Sequence, residues 1–473
     1  MSRLMAVLSA WVLLFVGIPA ASLAQGLPRP GAPCPRAGMT YQVDGKVLEC
    51  KKRKGKLIWV VQAGTGGDML DQKVPANGVW KVPPGYPTDL PPFGWRGEPT
   101  WFKPEWEVIT TQPIGKCPGA TPLTHLPADL SEIDAITGQG FMQPGSHALP
   151  VPHMYYATKP DKGIDEQGFA TVSRRVDVIA PADMTLRSVG LSITSDQGRP
   201  RTEYMLNFSV CGTLWFFTAH LGTVNDGIAR AYPRAPRQEC FDTGISGAPP
   251  ACLFSYLSFK VRAGDVIGTS SGYSAGFDFG LADASAPVAG RLDPSAYSPR
   301  WSTSRCHLDY FPAELKAKLT PLLTGDNGCG QLVSDRAKTP SGVWLALGKR
   351  ELSHRENLHI ALARHWSDRD LRVFSIGWDA QVPGLPGGRY LFTPRSSGNN
   401  RDFTLIRPGE VVCYDDLTAE WRQDGGPAAQ AIYVTMATGK VETLRIAGAP
   451  GDCPPIPTMP DQFQQFERRN TTR

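Results

Sequence analysis

Histidine and aspartate residues in three separate segments are the side chains of this chain best suited to chemistry. The segments are residues 145–156, 216–222 and 261–281, and the side chains are His147, His153, His220 and Asp278. Imidazole and carboxylate groups coordinate zinc, and the same groups transfer protons. Zinc catalysis needs about three protein ligands, an open position for water and a separate proton-transfer group. These residue types therefore predict a zinc site, provided that the fold brings the segments together.

A β-sheet is the element that has to position these side chains. Residues 126–283 contain alternating or wholly apolar runs that are rich in β-branched and aromatic residues. Glycine, proline and aspartate separate the runs, and this pattern is typical of strands joined by turns. We therefore expect His220 and Asp278 to lie on strands and Gly264 to lie in a turn between two strands.

Three short motifs lie on or between the predicted strands. The first is Ala-His-Leu-Gly at residues 219–222, the second is the turn Val-x-x-Gly-Asp-Val-Ile-Gly at 261–268, and the third is Phe-Asp-Phe-Gly-Leu at 277–281. Together they resemble the core of the M23 zinc endopeptidases, the lysostaphin class. The resemblance covers about a third of the chain. It implies a β-rich domain, a zinc ion and a peptide substrate.

The resemblance also implies a role for each matched position. In the family, one His and an Asp four residues later bind zinc, together with the second His of an H-x-H strand. A His before Leu at a strand end and the first His of H-x-H act on protons. His220 matches the proton-transferring strand-end His, and Asp278 stands at the ligand position of H-x-H. Gly276 stands at the other proton-transfer position, where glycine cannot move a proton.

The first zinc ligand is clearer in type than in position. His153 or His147 could supply it, but the residue four positions after His153 is Ala157. Asp177 lies in a segment that resembles the strand after the family's metal-binding aspartate. Four positions before Asp177 the sequence has Ser173 rather than histidine. The predicted metal ligands are therefore His153, His147, Asp278 and Asp177, with His220 as the catalytic residue.

Two further motifs favour ordinary structure over catalysis. Residues 268–272 read Gly-Thr-Ser-Ser-Gly, but the residues that follow cannot readily begin the helix that a nucleophile elbow requires. His354 and His359 are five positions apart, so on a helix they point about 140° from each other and cannot share a metal. We interpret both as structural segments.

The N-terminus and the cysteines predict an exported protein. Residues 1–24 have a basic start, a short apolar run and a small-residue cleavage site, which is typical of a secretory signal peptide. No later run is long enough to span a membrane. A formal net charge of +5 over 473 residues gives no indication of a nucleic-acid partner.

All ten cysteines follow the signal peptide, and an even number in an exported chain predicts disulfides. Proximity along the chain suggests Cys34–Cys50, Cys240–Cys252, Cys306–Cys329, Cys413–Cys453 and, by what remains, Cys117–Cys211. Other pairings stay open, because spacing does not determine connectivity.

The chain is predicted to be mainly β, with an M23-like domain between two smaller regions. The expected parts are a disulfide-linked β module at 30–62, a proline- and aromatic-rich arm at 63–125, the M23-like domain with a helical tail at 126–330, a β-sandwich or barrel at 340–453 and a mobile tail at 454–473. Residues 311–323 are predicted to form an amphipathic helix.

Two function hypotheses follow. The first is a secreted M23-like protein that acts on or binds cell-wall or extracellular peptides or glycans, with its zinc hydrolase activity altered or lost at Gly276. The alternative is a non-catalytic, exported cell-envelope protein with a binding or structural role. Zinc content and peptide turnover would separate them.

Overall fold

The protein is mainly β, as its sequence predicts. The computed structural model describes residues 31–34, 37, 40–43, 46–61, 116–165, 167–196, 199–241, 251–297, 299–325, 328–349, 356–422 and 430–471. The predicted signal peptide and residues 63–115 of the predicted arm lie outside these residues. The chain divides into two compact units, residues 1–69 and 70–473.

The first unit contains a three-stranded antiparallel sheet. Its strands are β1 Thr40–Val43, β2 Lys46–Arg53 and β3 Lys56–Val61. Cys34 and Cys50 form a disulfide that is buried with Trp59. The basic residues 51–56 at the end of this hairpin are exposed, so they form a solvated face.

The second unit begins with a large sheet that carries the candidate site. Its strands are β4 Ile133–Thr137, β5 Met154–Thr158, β6 Asp177–Ile179, β7 Met184–Asp196, β8 Arg199–Ser209, β9 Leu214–Val224, β10 Arg237–Phe241, β11 Ala251–Val261, β12 Val266–Ser270, β13 Gly276–Asp283 and β14 Ser304–Arg305. The main path runs β10-β11-β7-β8-β9-β13-β5-β4, and β6, β12 and β14 attach beside it. One face packs a core of aromatic and aliphatic side chains that includes Phe216, Phe277 and Phe279.

Short helices connect and cover this sheet. They are α1 Asp226–Ala231, α2 Pro299–Thr303 and α3 Ala313–Leu319, with 3-10 turns at Leu130–Glu132, Tyr232–Arg234, Pro294–Ala296, His307–Tyr310 and Thr320–Leu322. The helix predicted for residues 311–323 is thus present, as α3 followed by a 3-10 turn. Leu319 is its fully buried residue and joins the core of the sheet.

A second sheet of nine antiparallel strands forms the C-terminal region. Its strands are β15 Gly342–Ala346, β16 Ile360–Arg364, β17 Arg372–Ile376, β18 Gly388–Phe392, β19 Val411–Tyr414, β20 Thr418–Glu420, β21 Gln430–Ala437, β22 Val441–Pro450 and β23 Gln464–Arg469, with 3-10 turns at Glu356–Leu358 and Phe403–Leu405. The order is β19-β21-β22-β23-β15-β16-β17-β18-β20. Tyr414 of β19 contacts Phe374 and Phe392 near the opposite end, so the sheet curls around one core.

The prediction of a mobile tail at 454–473 is wrong for residues 464–469. These residues form β23, which pairs with β15 on one side and β22 on the other. Phe466 is fully buried, and Arg468 stacks 4.1 Å over the Trp344 ring while bonding to Glu442. The sequence of this segment is polar, and that is why it was predicted to be a tail. Its Arg468 can nevertheless be buried because Glu442 of β22 pairs with it, and the composition of the segment does not reveal that partner.

All ten cysteines pair in the combination suggested by their order. The pairs are Cys34–Cys50, Cys117–Cys211, Cys240–Cys252, Cys306–Cys329 and Cys413–Cys453. Cys240 and Cys252 stand opposite each other on β10 and β11. Five such bridges are typical of a protein that folds outside the cytoplasm. Within the described residues, no helix has the length and hydrophobicity that crossing a bilayer requires.

A strap of residues 139–153 lies between the two large sheets. Its backbone is held by the C-terminal sheet, because Arg389 donates to the Met142 carbonyl at 2.8 Å and Ser375 donates to the Ala148 carbonyl at 2.7 Å. Met142 and Leu149 of the strap pack with alternate residues of β15 to β18. These strands are therefore buried on both faces, as their nearly continuous apolar sequences require.

Candidate functional site

Asp278 is at the centre of the candidate site. It lies on β13, between β9 and β5, directly opposite Ala219 and Tyr155. Opposed residues of antiparallel strands share a face, so the Asp278 side chain points away from the core formed by Phe277 and Phe279. The carboxylate is nevertheless only 6 % exposed.

A β-bulge in β9 directs His220 toward this carboxylate. Thr218 pairs with Leu206 and Leu221 pairs with Tyr204, so two residues of β9 oppose one residue of β8. His220 takes a left-handed backbone conformation with φ of 61°. Bulges and left-handed residues of this type re-aim side chains, and they are frequent at functional sites.

His153 approaches Asp278 from the other side, at the end of the strap. Its Nε2 lies 3.4 Å from Asp278 Oδ2, and His220 Nε2 lies 3.8 Å from Asp278 Oδ1. Both His153 Nε2 and Asp278 Oδ1 are buried without a hydrogen-bond partner. The fold therefore brings together three of the residues singled out in the sequence. Two of their buried polar atoms are left unsatisfied, and such atoms are costly in a protein interior.

The other ring nitrogen of His220 is held by Glu203. His220 Nδ1 lies 3.1 Å from Glu203 Oε2, and Ser271 donates its hydroxyl to the second oxygen of the same carboxylate. Burial opposes the charge of His220, but Asp278 and Glu203 outweigh it and raise the pKa of His220 to about 9. His220 is therefore an imidazolium at neutral pH, and it bridges two carboxylates.

His153 has a different partner and a different charge. Arg300 of α2 places Nη2 3.0 Å from His153 Nδ1, and its guanidinium lies 3.4 Å over the Phe217 ring. Burial, followed by the positive charge of Arg300, lowers the pKa of His153 well below its ordinary value. His153 is therefore neutral, and the cation on this side of Asp278 is Arg300.

The C-terminal sheet region also reaches the site. Glu356, in the 3-10 turn before β16, lies 3.5 Å from Nδ1 of His147. The His147 ring stands 5.6 Å from the His153 ring, and Asn357 accepts the backbone N–H of Gly145 at 2.8 Å. His147 therefore connects the central cluster, through the His153 ring, to the C-terminal region, through Glu356.

Asp177 and Ser173 are placed elsewhere. Asp177 is exposed on β6, where its carboxylate accepts a hydrogen bond from Thr269. Ser173 is buried and donates its hydroxyl to the Ser274 carbonyl. The structure therefore does not bring Asp177 to the cluster of His153, His220 and Asp278.

Position 276 has no room for any side chain. A Cβ atom on Gly276 would lie 1.8 Å from the carbonyl oxygen of Tyr156 and 3.0 Å from the Cα of Ala157. Both are backbone atoms of β5, which pairs with β13 at this point. The proton-transferring histidine that the resemblance implies is therefore excluded here by the pairing of the strands.

The residues present do not fit a zinc ion in the arrangement that the structure shows. Among the residues described, no group of three or more His, Cys, Asp or Glu side chains is arranged to hold a metal. Arg300 can only donate, so His153 Nδ1 accepts, and the neutral ring carries its proton on Nε2. That nitrogen faces Asp278 and has no lone pair for a metal. Of the two histidines that face Asp278, only His220 has a carboxylate partner on Nδ1, as zinc-binding histidines usually do.

Sequence reasoning missed Glu203, Arg300 and Glu356. Glu203 follows Arg201 by two positions on β8, and two charged residues of opposite sign spaced to share one face of a strand are a usable signal. Arg300 falls in a proline- and serine-rich crossing with no pattern that indicates a site. Glu356 belongs to the His354–His359 segment, in which His359 is structural because its Nδ1 accepts the Ala346 N–H; His354 lies outside the described residues.

Replacing Glu203 by glutamine should lower the pKa of His220 from about 9 toward its ordinary value of 6.5. In the wild type the raised pKa stabilises the fold fully below about pH 6.5, and this contribution is lost as the pH rises through about 9. Glu203→Gln removes one of the two attracting carboxylates, so the upper end of that window should move to lower pH. An NMR titration of the His220 ring measures the shift.

Ser271→Ala is the matched control, since it removes a neutral partner of Glu203 and leaves both charges. An unchanged His220 titration in Glu203→Gln would contradict the pairing.

The sequence matches no protein-family model, no curated protein and no solved structure. The resemblance to M23 endopeptidases therefore depends on the three sequence motifs alone. The site has to be interpreted from its own residues.

Proposed function

We propose that this protein is an exported binding protein built on an M23-like sheet. The central cluster of Asp278, His220 and His153 recognises extracellular peptides or glycans of the cell wall and does not hydrolyse them with zinc. The three matched motifs support the M23-like scaffold, because they occupy β9, the turn into β12 and β13, which lie side by side.

One observation carries the proposal: the polar centre is retained while the neighbouring proton-transfer position is closed. His153, His220 and Asp278 converge with two unsatisfied buried atoms, which is a suitable arrangement for recognising a polar ligand. At Gly276 the backbone of β5 leaves no space for a catalytic side chain. The polar groups that would recognise a ligand are therefore present, whereas the family's hydrolytic mechanism lacks the proton-transferring histidine at position 276.

Export is supported by two independent features. The sequence of residues 1–24 predicts a secretory signal peptide. All ten cysteines are paired in the described residues, and disulfides persist in oxidising compartments. A cell-wall ligand is consistent with that location.

The proposal is tested by incubating the oxidised protein, without the signal peptide, with purified insoluble peptidoglycan. We expect the wild type to sediment with the peptidoglycan and to release no soluble peptide fragments, with or without added zinc. Asp278→Asn should weaken binding about tenfold, equivalent to about 1.4 kcal/mol, because it removes the central charge. Asp226→Asn is the matched control, since that side chain is 93 % exposed and lies on α1.

Two results would overturn the proposal. Release of peptide fragments by the wild type would establish a hydrolase. A folded wild type that stays in solution would instead favour the structural alternative, in which the histidines share no ligand.

A further inference from the structure

The cluster around Asp278 contains three side chains of the types that bind metals, in an arrangement that does not hold one. Two ligand atoms bound to a tetrahedral zinc ion at about 2.0–2.1 Å lie about 3.3 Å apart. His153 Nε2 and His220 Nε2 lie 3.4 Å and 3.8 Å from separate oxygens of Asp278. The two histidine nitrogens therefore face different oxygens of one carboxylate, with His153 and Asp278 buried and His220 33 % exposed.

His220 is already oriented as a ligand. Its Nδ1 is directed at Glu203 Oε2, which leaves Nε2 facing Asp278. A carboxylate that holds the second nitrogen of the ring fixes the orientation and the tautomer of zinc-binding histidines. Ser271 fixes the Glu203 carboxylate in turn. To bind a metal through Nε2, His220 needs only to lose the proton on that nitrogen.

Arg300 prevents His153 from presenting its Nε2 as a metal ligand. Its donor at 3.0 Å makes His153 Nδ1 an acceptor and so places the ring proton on Nε2, which faces Asp278. The stacking of its guanidinium on Phe217 fixes Arg300 in this position. Arg300 also brings a positive charge near Asp278, the charge that a metal ion would otherwise supply.

We propose that Arg300 keeps metal out of this site. Its guanidinium supplies the positive charge that a metal held by His153, His220 and Asp278 would otherwise supply. The inference deepens the proposed function, because it explains why a site with these ligand types works without zinc. Without the Arg300 donor, His153 can move its proton to Nδ1 and turn a lone pair on Nε2 toward Asp278. The three side chains then form a centre with an open fourth position, suited to Zn²⁺ or Co²⁺.

The test compares metal binding by the wild type, Arg300→Met and Arg300→Lys, using the oxidised protein without the signal peptide. Methionine keeps the packing on Phe217 without a donor, whereas lysine keeps both donor and charge. After dialysis against Co²⁺ and then buffer, Arg300→Met should retain about one equivalent, with the visible absorption of tetrahedral cobalt. The wild type and Arg300→Lys should retain at least about tenfold less. Adding Asp278→Asn to Arg300→Met should abolish the binding.

Stoichiometric cobalt in the wild type, or none in a folded Arg300→Met protein, would overturn the inference. If Arg300→Met does not fold, ¹⁵N NMR of the wild-type His153 ring decides. A proton on Nε2 supports the inference, and a proton on Nδ1 overturns it. Peptidoglycan binding without cleavage tests the proposed function separately, so either idea can fail while the other stands.

Discussion

Gly276→Ala is expected to destabilise the central sheet by about 3 kcal/mol or more, because overpacking against rigid neighbours costs 1–3 kcal/mol and occasionally more. The added Cβ would lie 1.8 Å from the Tyr156 carbonyl oxygen, and a backbone atom of a paired strand cannot rotate away. Relief requires β13 and β5 to separate at the position next to Asp278. We therefore expect loss of both stability and site geometry.

Thermal unfolding of the oxidised protein measures this effect. For a domain of about 200 residues, 3 kcal/mol corresponds to a melting temperature lower by about 6–12 °C. Gly119→Ala is the control, because Gly119 is exposed and a Cβ there would meet no atom within 4 Å. Equal melting temperatures for Gly276→Ala and wild type would mean that position 276 can accept a side chain, and the argument against a catalytic histidine there would fail.

Arg201→Met is expected to cost about 3–5 kcal/mol, the usual effect of removing one partner from a buried ion pair. Arg201 is fully buried on β8, where it pairs with Asp165 and with Asp196 at 2.8 Å. It also donates to the carbonyl of Ser271 at 2.9 Å. Methionine fills most of the same volume but leaves the buried Asp165 carboxylate without its cation.

The same variant should disturb the site. Burial raises the pKa of the Glu203 carboxyl, whereas its contacts with His220 and Ser271 and the positive charge of Arg201 lower that pKa. Arg201→Met removes this charge. Chemical denaturation measures the stability, and the His220 titration by NMR reports on the site. Arg199→Met is the matched control on the same strand, since Arg199 is exposed and donates to the Gly168 carbonyl at 2.8 Å. Adding Asp165→Asn should recover part of the lost stability, and no recovery would contradict the proposed charge imbalance.

The sheets, the disulfides and the short helix could be predicted because their signals are local or compositional. Apolar and polar residues alternate along parts of β7 to β9, and apolar residues run almost continuously through β16 to β18. Both patterns reflect which faces of the strands are buried. The order of the cysteines suggested pairs that agree with the structure. The strand β23 was missed because Arg468 and Glu442 neutralise each other inside the sheet, and a single segment does not show its partner.

The site was only partly predictable. His153, His220 and Asp278 could be chosen by residue type, and the match of residues 277–281 to a known strand suggested where Asp278 belongs. Glu203 comes from β8, and Glu356 comes from the 3-10 turn before β16 in the C-terminal region. Arg300 comes from a segment without a periodic pattern. These three residues determine the charge of His220, the surroundings of His147 and the tautomer of His153.

By itself the sequence determined that His153, His220 and Asp278 are present, that glycine occupies position 276 and that the chain is built from β-strands. Only the tertiary structure decided which atoms of these residues face one another and which cation accompanies them. The physical reason is that a histidine becomes a ligand, an acid or a neutral donor according to the partner on its other nitrogen. For His220 that partner is Glu203, and for His153 it is Arg300, and both contacts join residues far apart in the chain.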